Sequence, residues 1–94
     1  MADAVGAAAV EGLVDRLGAW AYWKSGIDGA NAFLLYRICR DEIDEKRLTR
    51  RAREAGFEPA LVALREFDRK WAETDPDPDI LADWANKGPR EEMP

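Results

Sequence analysis

Histidine is absent from the 94 residues of this chain, and cysteine occurs once, at Cys39. Histidine is the commonest general base and the usual ligand of metalloenzymes, so its absence excludes every histidine-dependent catalytic triad. A single cysteine cannot form an intramolecular disulfide, and a lone thiol in an apolar run is typical of a small core residue. We therefore expect a protein from a reducing compartment that needs no cofactor and is not an enzyme.

Long apolar runs are missing as well. No uncharged apolar run approaches the roughly 18 to 20 residues that span a bilayer. The N-terminus also lacks the basic stretch that opens a signal peptide. The sequence therefore predicts a cytoplasmic protein without membrane contact.

Length and composition indicate one small globular domain. Hydrophobic residues make up 47% of the chain and charged residues 35%, and domains seldom divide below about 100 residues. We expect one domain over residues 1–89 and a loose tail over residues 90–94. The net charge of -5 argues against the broad positive surface that non-specific nucleic-acid binding requires. Direct nucleic-acid binding is not expected, and a basic partner suits the average charge.

Apolar residues recur at helical spacing, and turn residues separate the periodic stretches. Alanine is abundant and β-branched residues are scarce, which favours helix. The pattern predicts an all-α fold, a compact four- to five-helix bundle with short connections. The predicted helices run over about residues 3–24, from an N-cap at Asp28 to about residue 42, from an N-cap at Asp44 to Gly56, from Pro59 onwards, and from an N-cap at Asp77 to about Gly88.

Four of the predicted helices carry a stripe of residues that we expect to form the core, and the second predicted helix, which runs through Phe33, Leu34, Leu35 and Ile38, is the most apolar segment. The stripe of the first helix comprises Val10, Leu13, Val14, Leu17, Trp20 and Ala21, and that of the third comprises Leu48, Ala52 and Ala55. The last two comprise Ala60, Leu64, Phe67 and Trp71, and then Ile80, Leu81, Trp84 and Ala85.

The middle of the chain is basic although the whole is acidic. Residues 46–56 hold five bases and one acid, the bases being Lys46, Arg47, Arg50, Arg51 and Arg53. With Ala52, Gly56 and Val62, this segment has the spacing of a helix-turn-helix. A dimeric DNA-binding transcriptional regulator is therefore the alternative hypothesis.

The following helix argues against that alternative. The positions that would face base edges offer almost no hydrogen-bond donors; they are Glu58, Pro59, Ala60, Ala63, Leu64 and Phe67. Arg51 and Arg65 also fall where the motif packs two apolar residues between its helices. Two other interpretations remain, a docking patch for a carboxylate-rich or phosphate-rich surface and a solvated face with local ion pairs.

Aromatic residues crowd the end of the first predicted helix. Trp20 and Trp23 lie about 300° apart on a helix and share one side, whereas Tyr22 points away from Trp20. We expect one of the three to be exposed. Because Trp, Tyr and Arg dominate binding hot spots, Tyr22, Trp23 and Arg37 are candidate anchors for a partner, although core packing would also explain aromatics at this spacing.

Acidic residues supply the remaining candidates for a site. The clustered acids Asp68, Asp75, Asp77, Asp79 and Asp83 are predicted to contact a basic partner. Asp75, Asp77 and Asp79 alternate as calcium ligands do, but Ile80 stands where a calcium loop needs glycine and Asn86 where it needs a bidentate glutamate. Carboxylate pairs such as Glu11 with Asp15 are typical of solvated surfaces, so no metal or catalytic role is assigned.

These patterns favour a non-enzymatic, protein-binding role. We expect a regulator, inhibitor or accessory subunit that docks on a larger macromolecular complex; in a more specific form, it is an acidic inhibitor of a nucleic-acid-binding machine. A homodimer is a further hypothesis, because Gly6, Gly12 and Gly18 would let the first helix pack closely against its own copy. The sequence does not indicate which face of the protein a partner would meet.

Overall fold

The structure, a computed structural model, describes residues 2–89 of the chain, with side chains from residue 8 onwards. Over this part of the chain all regular structure is helical, which confirms the predicted all-α bundle. The predicted tail over residues 90–94 lies outside the described residues. The helices are α1 (Ala2–Trp23), α2 (Gly26–Ile38), α3 (Glu45–Ala55), α4 (Glu58–Lys70) and α5 (Pro78–Lys87), with a single 3₁₀ turn at Arg40–Glu42.

Three of the predicted helix ends are confirmed. The Asp44 carboxylate accepts hydrogen bonds from the backbone N–H groups of Lys46 and Arg47 and caps α3. Asp77 caps α5 in the same way through the N–H of Asp79. Gly56 ends α3 in the left-handed region at φ 85°, a conformation that glycine adopts without the steric cost of a Cβ atom.

The start of α2 differs from the prediction. Ser25 is the N-cap, since its hydroxyl accepts a hydrogen bond from the N–H of Asp28 at 3.3 Å. The prediction that Asp28 is the cap was wrong, because serine satisfies a free N–H group of the first turn equally well and stands closer to the end of α1. Asp28 lies instead in the first turn of α2, where a negative charge interacts favourably with the helix dipole.

Two other boundaries also shift. Helix α2 ends at Ile38 rather than near residue 42, because the backbone tightens into the 3₁₀ turn that follows. Helix α4 begins at Glu58, one residue before Pro59. Proline is tolerated there because the N–H groups of a first helical turn have no intrahelical acceptor.

Helix α1 forms the centre of the core. All six residues of its predicted stripe are buried, and Trp20 is 1% exposed. The Trp20 indole N–H donates to the Ala85 carbonyl oxygen at 2.7 Å, which joins α1 to α5. Helix α1 also packs against α2, α3 and α4, whereas α2 packs against α1, α4 and α5.

Aromatic rings fill the space between α2, α4 and α5. The Trp84 ring stacks on Phe67 at a centroid distance of 4.3 Å, and Phe33 meets Phe67 edge to face at 5.1 Å. Trp71 and Trp84, which we assigned to the core, pack against it but are only partly buried. The core prediction was wrong for Ala55 and Ile80, which are exposed.

Two glycines allow a matched test of this packing. A Cβ atom at Gly29 would lie 2.6 Å from the Trp20 ring nitrogen, whereas one at Gly18 would lie 3.5 Å from Phe57, an ordinary contact. Gly29→Ala should therefore lower the free energy of unfolding by about 1 to 3 kcal/mol through overpacking. Gly18→Ala should raise it by up to about 1 kcal/mol through helix propensity. Urea denaturation measures both, and equal effects would contradict the close packing of α2 on α1.

Candidate functional site

Large apolar side chains are exposed mainly around α2. Among the residues with described side chains, seven large hydrophobic residues are exposed, and five of them lie between residues 22 and 38. The fractions are highest for Trp23 at 82%, Ile38 at 80% and Ile27 at 76%. Single exposed apolar residues are ordinary, but a contiguous group marks an interaction surface. This concentration makes the outer face of α2 the leading candidate site.

Four residues define that face, which we call the α2 stripe: Ile27, Asn31, Leu34 and Ile38. All four are exposed, and their spacing of four, three and four residues places them on one side of a helix. The opposite side of α2 is buried and carries Gly29, Ala32, Phe33 and Tyr36. The α2 stripe therefore lies on the side that faces away from the core.

The aromatic residues at the end of α1 have different environments. Trp20 is buried, while Tyr22 and Trp23 are both exposed, so two of the three aromatic residues rather than one reach the surface. The Tyr22 hydroxyl donates to the Ala55 carbonyl oxygen at 2.6 Å, which ties it to α3. Trp23 is the last residue of α1 and is the most exposed of the large apolar side chains.

Arg37 points toward the C-terminal end of α4 and donates all five of its guanidinium hydrogens within the chain. Its Nε lies 3.0 Å from Asp68 Oδ1, and its Nη1 lies 3.1 Å from Asp75 Oδ1 and 3.3 Å from the Thr74 carbonyl oxygen. Its Nη2 donates to the carbonyl oxygens of Asp68, at 3.2 Å, and Trp71. The guanidinium carbon also lies 4.8 Å from the centre of the Phe33 ring.

This network explains why Asp68 is buried. Among residues with described side chains, Asp68 is the one buried charged residue, at 7% exposure. Its second carboxylate oxygen accepts a hydrogen bond from Arg40. A buried carboxylate is tolerated only when it is paired and hydrogen-bonded. Arg37 and Asp68, predicted as partner contacts, thus have an internal role that the sequence analysis did not assign to them.

A signal for this network was present in the sequence. Asp68 lies seven residues after Leu61 and four residues after Leu64 in α4. This spacing places an acid on the buried side of the helix. Aspartate is rarely buried without a cationic partner. The sequence could not show which arginine that partner would be.

The basic residues of α3 divide into two groups. Arg51 forms a two-bond fork with Glu11, at 3.1 and 2.8 Å, and Arg53 pairs with Glu58 at 2.9 Å. The hydrogen bond from Arg51 lowers the pKa of Glu11, and that from Arg53 lowers the pKa of Glu58. Lys46, Arg47 and Arg50 are exposed, and among the acids whose side chains the structure describes, none lies within 4 Å of their charged groups.

The start of α4 buries most of the positions that a DNA-reading helix would expose. Of the six positions that the alternative hypothesis turns toward a groove, four are buried, namely Ala60, Ala63, Leu64 and Phe67. Val62, which we matched to the spacing of the motif, is 47% exposed. Arg65 pairs with Glu45 at 2.7 Å rather than packing between the helices.

The acids around the start of α5 are spread over separate contacts. Asp75 pairs with Arg37, Asp77 caps α5, and Asp83 lies 3.6 Å from Lys87. Among the described residues no group of three or more His, Cys, Asp and Glu is arranged to hold a metal ion. The predicted role of these acids in partner binding stays a prediction.

Two surface clefts flank α4. One, of about 380 Å³, is apolar and lies between the end of α1 and the start of α4, beside Tyr22, Phe57 and Pro59. The other, of about 410 Å³, lies between α4 and α5 and has charged residues of both signs at its rim, such as Glu66 and Lys87. Neither cleft lies on the α2 stripe.

Two of the three glycines that suggested a homodimer through α1 contact the chain itself. A Cβ atom at Gly12 would lie 3.3 Å from Leu35, and one at Gly18 would lie 3.5 Å from Phe57. These positions contribute to packing within the bundle, and a homodimer through α1 stays a prediction. The surroundings of Gly6 lie outside what the structure describes.

Comparison with known proteins finds no match among family models, curated proteins or solved structures. No helix among residues 2–89 combines the length and the apolar character needed to cross a membrane.

The exposure of Trp23 can be tested by fluorescence. Iodide should quench a large part of the tryptophan emission of the monomeric protein at submicromolar concentration, because Trp23 is 82% exposed while Trp20 is 1% exposed. Trp23→Phe should remove most of that quenchable part and leave the free energy of unfolding within about 0.5 kcal/mol. Unchanged quenching in this variant would show that Trp23 is shielded from iodide.

Proposed function

We propose that this chain is a non-enzymatic protein-binding protein, a regulator, inhibitor or accessory subunit that docks on a larger macromolecular complex. The observation that carries this proposal is the α2 stripe, where Ile27 and Ile38 are 76% and 80% exposed on the outer face of α2. Burial of such side chains contributes about 1.5 to 3 kcal/mol each. Contact with another protein would gain this free energy.

The charged residues on the surface of the chain would help it to recognise one particular complex. Lys46, Arg47 and Arg50 form a small free basic strip on α3, while the net charge of the whole chain is -5. Charged groups at the rim of an interface mainly determine specificity and the rate of association. In its more specific form the proposal is an acidic inhibitor that occupies the basic, nucleic-acid-binding surface of its target, and the overall charge supports this form.

The alternative function, a helix-turn-helix DNA-binding regulator, has one supporting observation. The free basic strip on α3 would suit phosphate contacts. The burial of Ala60, Ala63, Leu64 and Phe67 on α4 removes most of the positions from which the motif reads bases. We therefore prefer the protein-binding function.

Affinity capture with mass spectrometry tests the proposed function. The tagged wild-type chain should retain a defined complex, and Ile38→Lys should lose it, because a lysine introduces a charge into the apolar contact. The monomer should tolerate this change, since Ile38 is exposed at the C-terminal end of α2, where a positive charge interacts favourably with the helix dipole.

Val62→Lys is the matched control. Val62 is an exposed aliphatic residue of α4, outside the α2 stripe, so this variant should retain the complex. The proposal would be contradicted if Ile38→Lys and Val62→Lys both retained the complex. It would also be contradicted if neither the wild-type chain nor Val62→Lys captured a complex. Salt-sensitive binding of a DNA duplex, lost when Lys46, Arg47 and Arg50 are changed to Glu, would favour the alternative.

A further inference from the structure

We propose that the α2 stripe is covered by a second copy of this chain, in a two-fold dimer whose axis passes beside Asn31. This inference rests on the proposed function but assigns the α2 stripe to the contact between two copies, so that the larger complex is met by other surfaces of the dimer. The docking unit is then the dimer, which carries two copies of the basic strip on α3. Two such strips would strengthen binding to a complex that can engage both.

The spacing of the stripe is that of a helix-pairing seam. Ile27, Asn31, Leu34 and Ile38 follow each other at steps of four, three and four residues, which is the d, a, d, a pattern of a heptad repeat. A seam of this kind places each side chain between side chains of a facing helix. A second copy of α2 supplies the same pattern.

Asn31 favours a second copy over an unrelated apolar surface. It is exposed in the middle of the stripe, between Ile27 and Leu34. An apolar partner would bury its amide without a hydrogen bond, which is costly. A primary amide is both donor and acceptor, so two identical amides facing each other across a two-fold axis satisfy each other. A single asparagine at an a position has this pairing role in two-stranded coiled coils.

The charges of α2 permit self-association. A two-fold contact places each residue near its own copy, so exposed charges beside the axis would repel. The only charged residues of α2 are Asp28 and Arg37. Asp28 is partly buried, and Arg37 donates all of its guanidinium hydrogens within its own chain. The stripe is therefore free of exposed charge in a chain that is 35% charged.

The available area is sufficient for a modest dimer. Trp23 precedes Ile27 by four residues, across the turn between α1 and α2. Together with the stripe it exposes an accessible surface on the order of 500 Å² per copy. Two copies would bury about 1,000 Å², near the lower limit of specific interfaces. Because α2 is already folded against α1, α4 and α5, association orders little additional backbone. We expect a dimer with a dissociation constant in the micromolar range.

Sedimentation equilibrium over low to high micromolar concentrations tests this inference. The wild-type chain should be a reversible dimer. Ile27→Glu and Ile38→Lys should each raise its dissociation constant at least about 30-fold, since each replaces an apolar contact by a buried charge. Asn31→Asp should do the same, because it places two carboxylates opposite each other. The matched control Val62→Lys should change the constant by less than about threefold.

Cross-linking tests the position of the axis. In a Cys39→Ser background, Asn31→Cys should form a disulfide between copies under mild oxidation, because residues beside a two-fold axis of paired helices come within the roughly 4.4 to 6.8 Å Cα separation of a disulfide. Val62→Cys in the same background should form no disulfide between copies. Circular dichroism and urea denaturation of each variant show that loss of the dimer is not loss of the fold.

The outcomes separate this inference from the proposed function. A wild-type chain that is monomeric at all concentrations, while Ile38→Lys still loses the captured complex, overturns the second copy and leaves the proposed function standing. A dimer that Ile38→Lys abolishes, without any captured complex, supports the second copy and overturns docking on a larger complex. If the dissociation constant of the dimer is unchanged by Ile27→Glu, Asn31→Asp and Ile38→Lys, the two-fold contact at α2 is overturned.

Discussion

The hydrogen bonds of Arg37 determine how α2 is presented. The guanidinium group closes the C-terminal end of α4 by donating to the carbonyl oxygens of Asp68 and Trp71, groups that a helix end leaves without intrahelical partners. A positive charge there also interacts favourably with the helix dipole. Because Arg37 lies about a quarter turn from the α2 stripe, this inward contact helps hold Ile27, Leu34 and Ile38 on the outer side. The proposed interaction surface therefore depends on a contact inside the chain.

Like Arg37, other charged residues are used for contacts within the chain. Most of the arginines with described side chains form ion pairs or carbonyl contacts within the chain, as Arg51 does with Glu11 and Arg65 with Glu45. Exposed pairs of this kind contribute little stability, but they occupy groups that a partner could otherwise use. The three basic residues Lys46, Arg47 and Arg50 remain on the surface of α3, so a small part of the basic block is available for recognition.

Much of the fold could be predicted from the sequence, because local signals carry it. The apolar stripe of α1, the caps at Asp44 and Asp77 and the glycine at residue 56 each act within one turn of the chain. The candidate site was harder to predict, because α2 has apolar residues on all sides and periodicity cannot show which side faces inward. Leu34 and Ile38, which are exposed, could not be distinguished from the buried Phe33 for that reason. The partner of Asp68 lies 31 residues away and could not be identified from spacing.

The account depends most on the claim that Arg37 and Asp68 hold α2 and α4 together. A double-mutant cycle of Arg37→Met, Asp68→Asn and the double variant, measured by urea denaturation, tests it most directly. Residues in direct contact couple by about 0.5 to 3 kcal/mol, and because this pair is largely buried we predict a coupling free energy of at least about 1.5 kcal/mol. Additive effects, with a coupling below about 0.5 kcal/mol, would contradict the account.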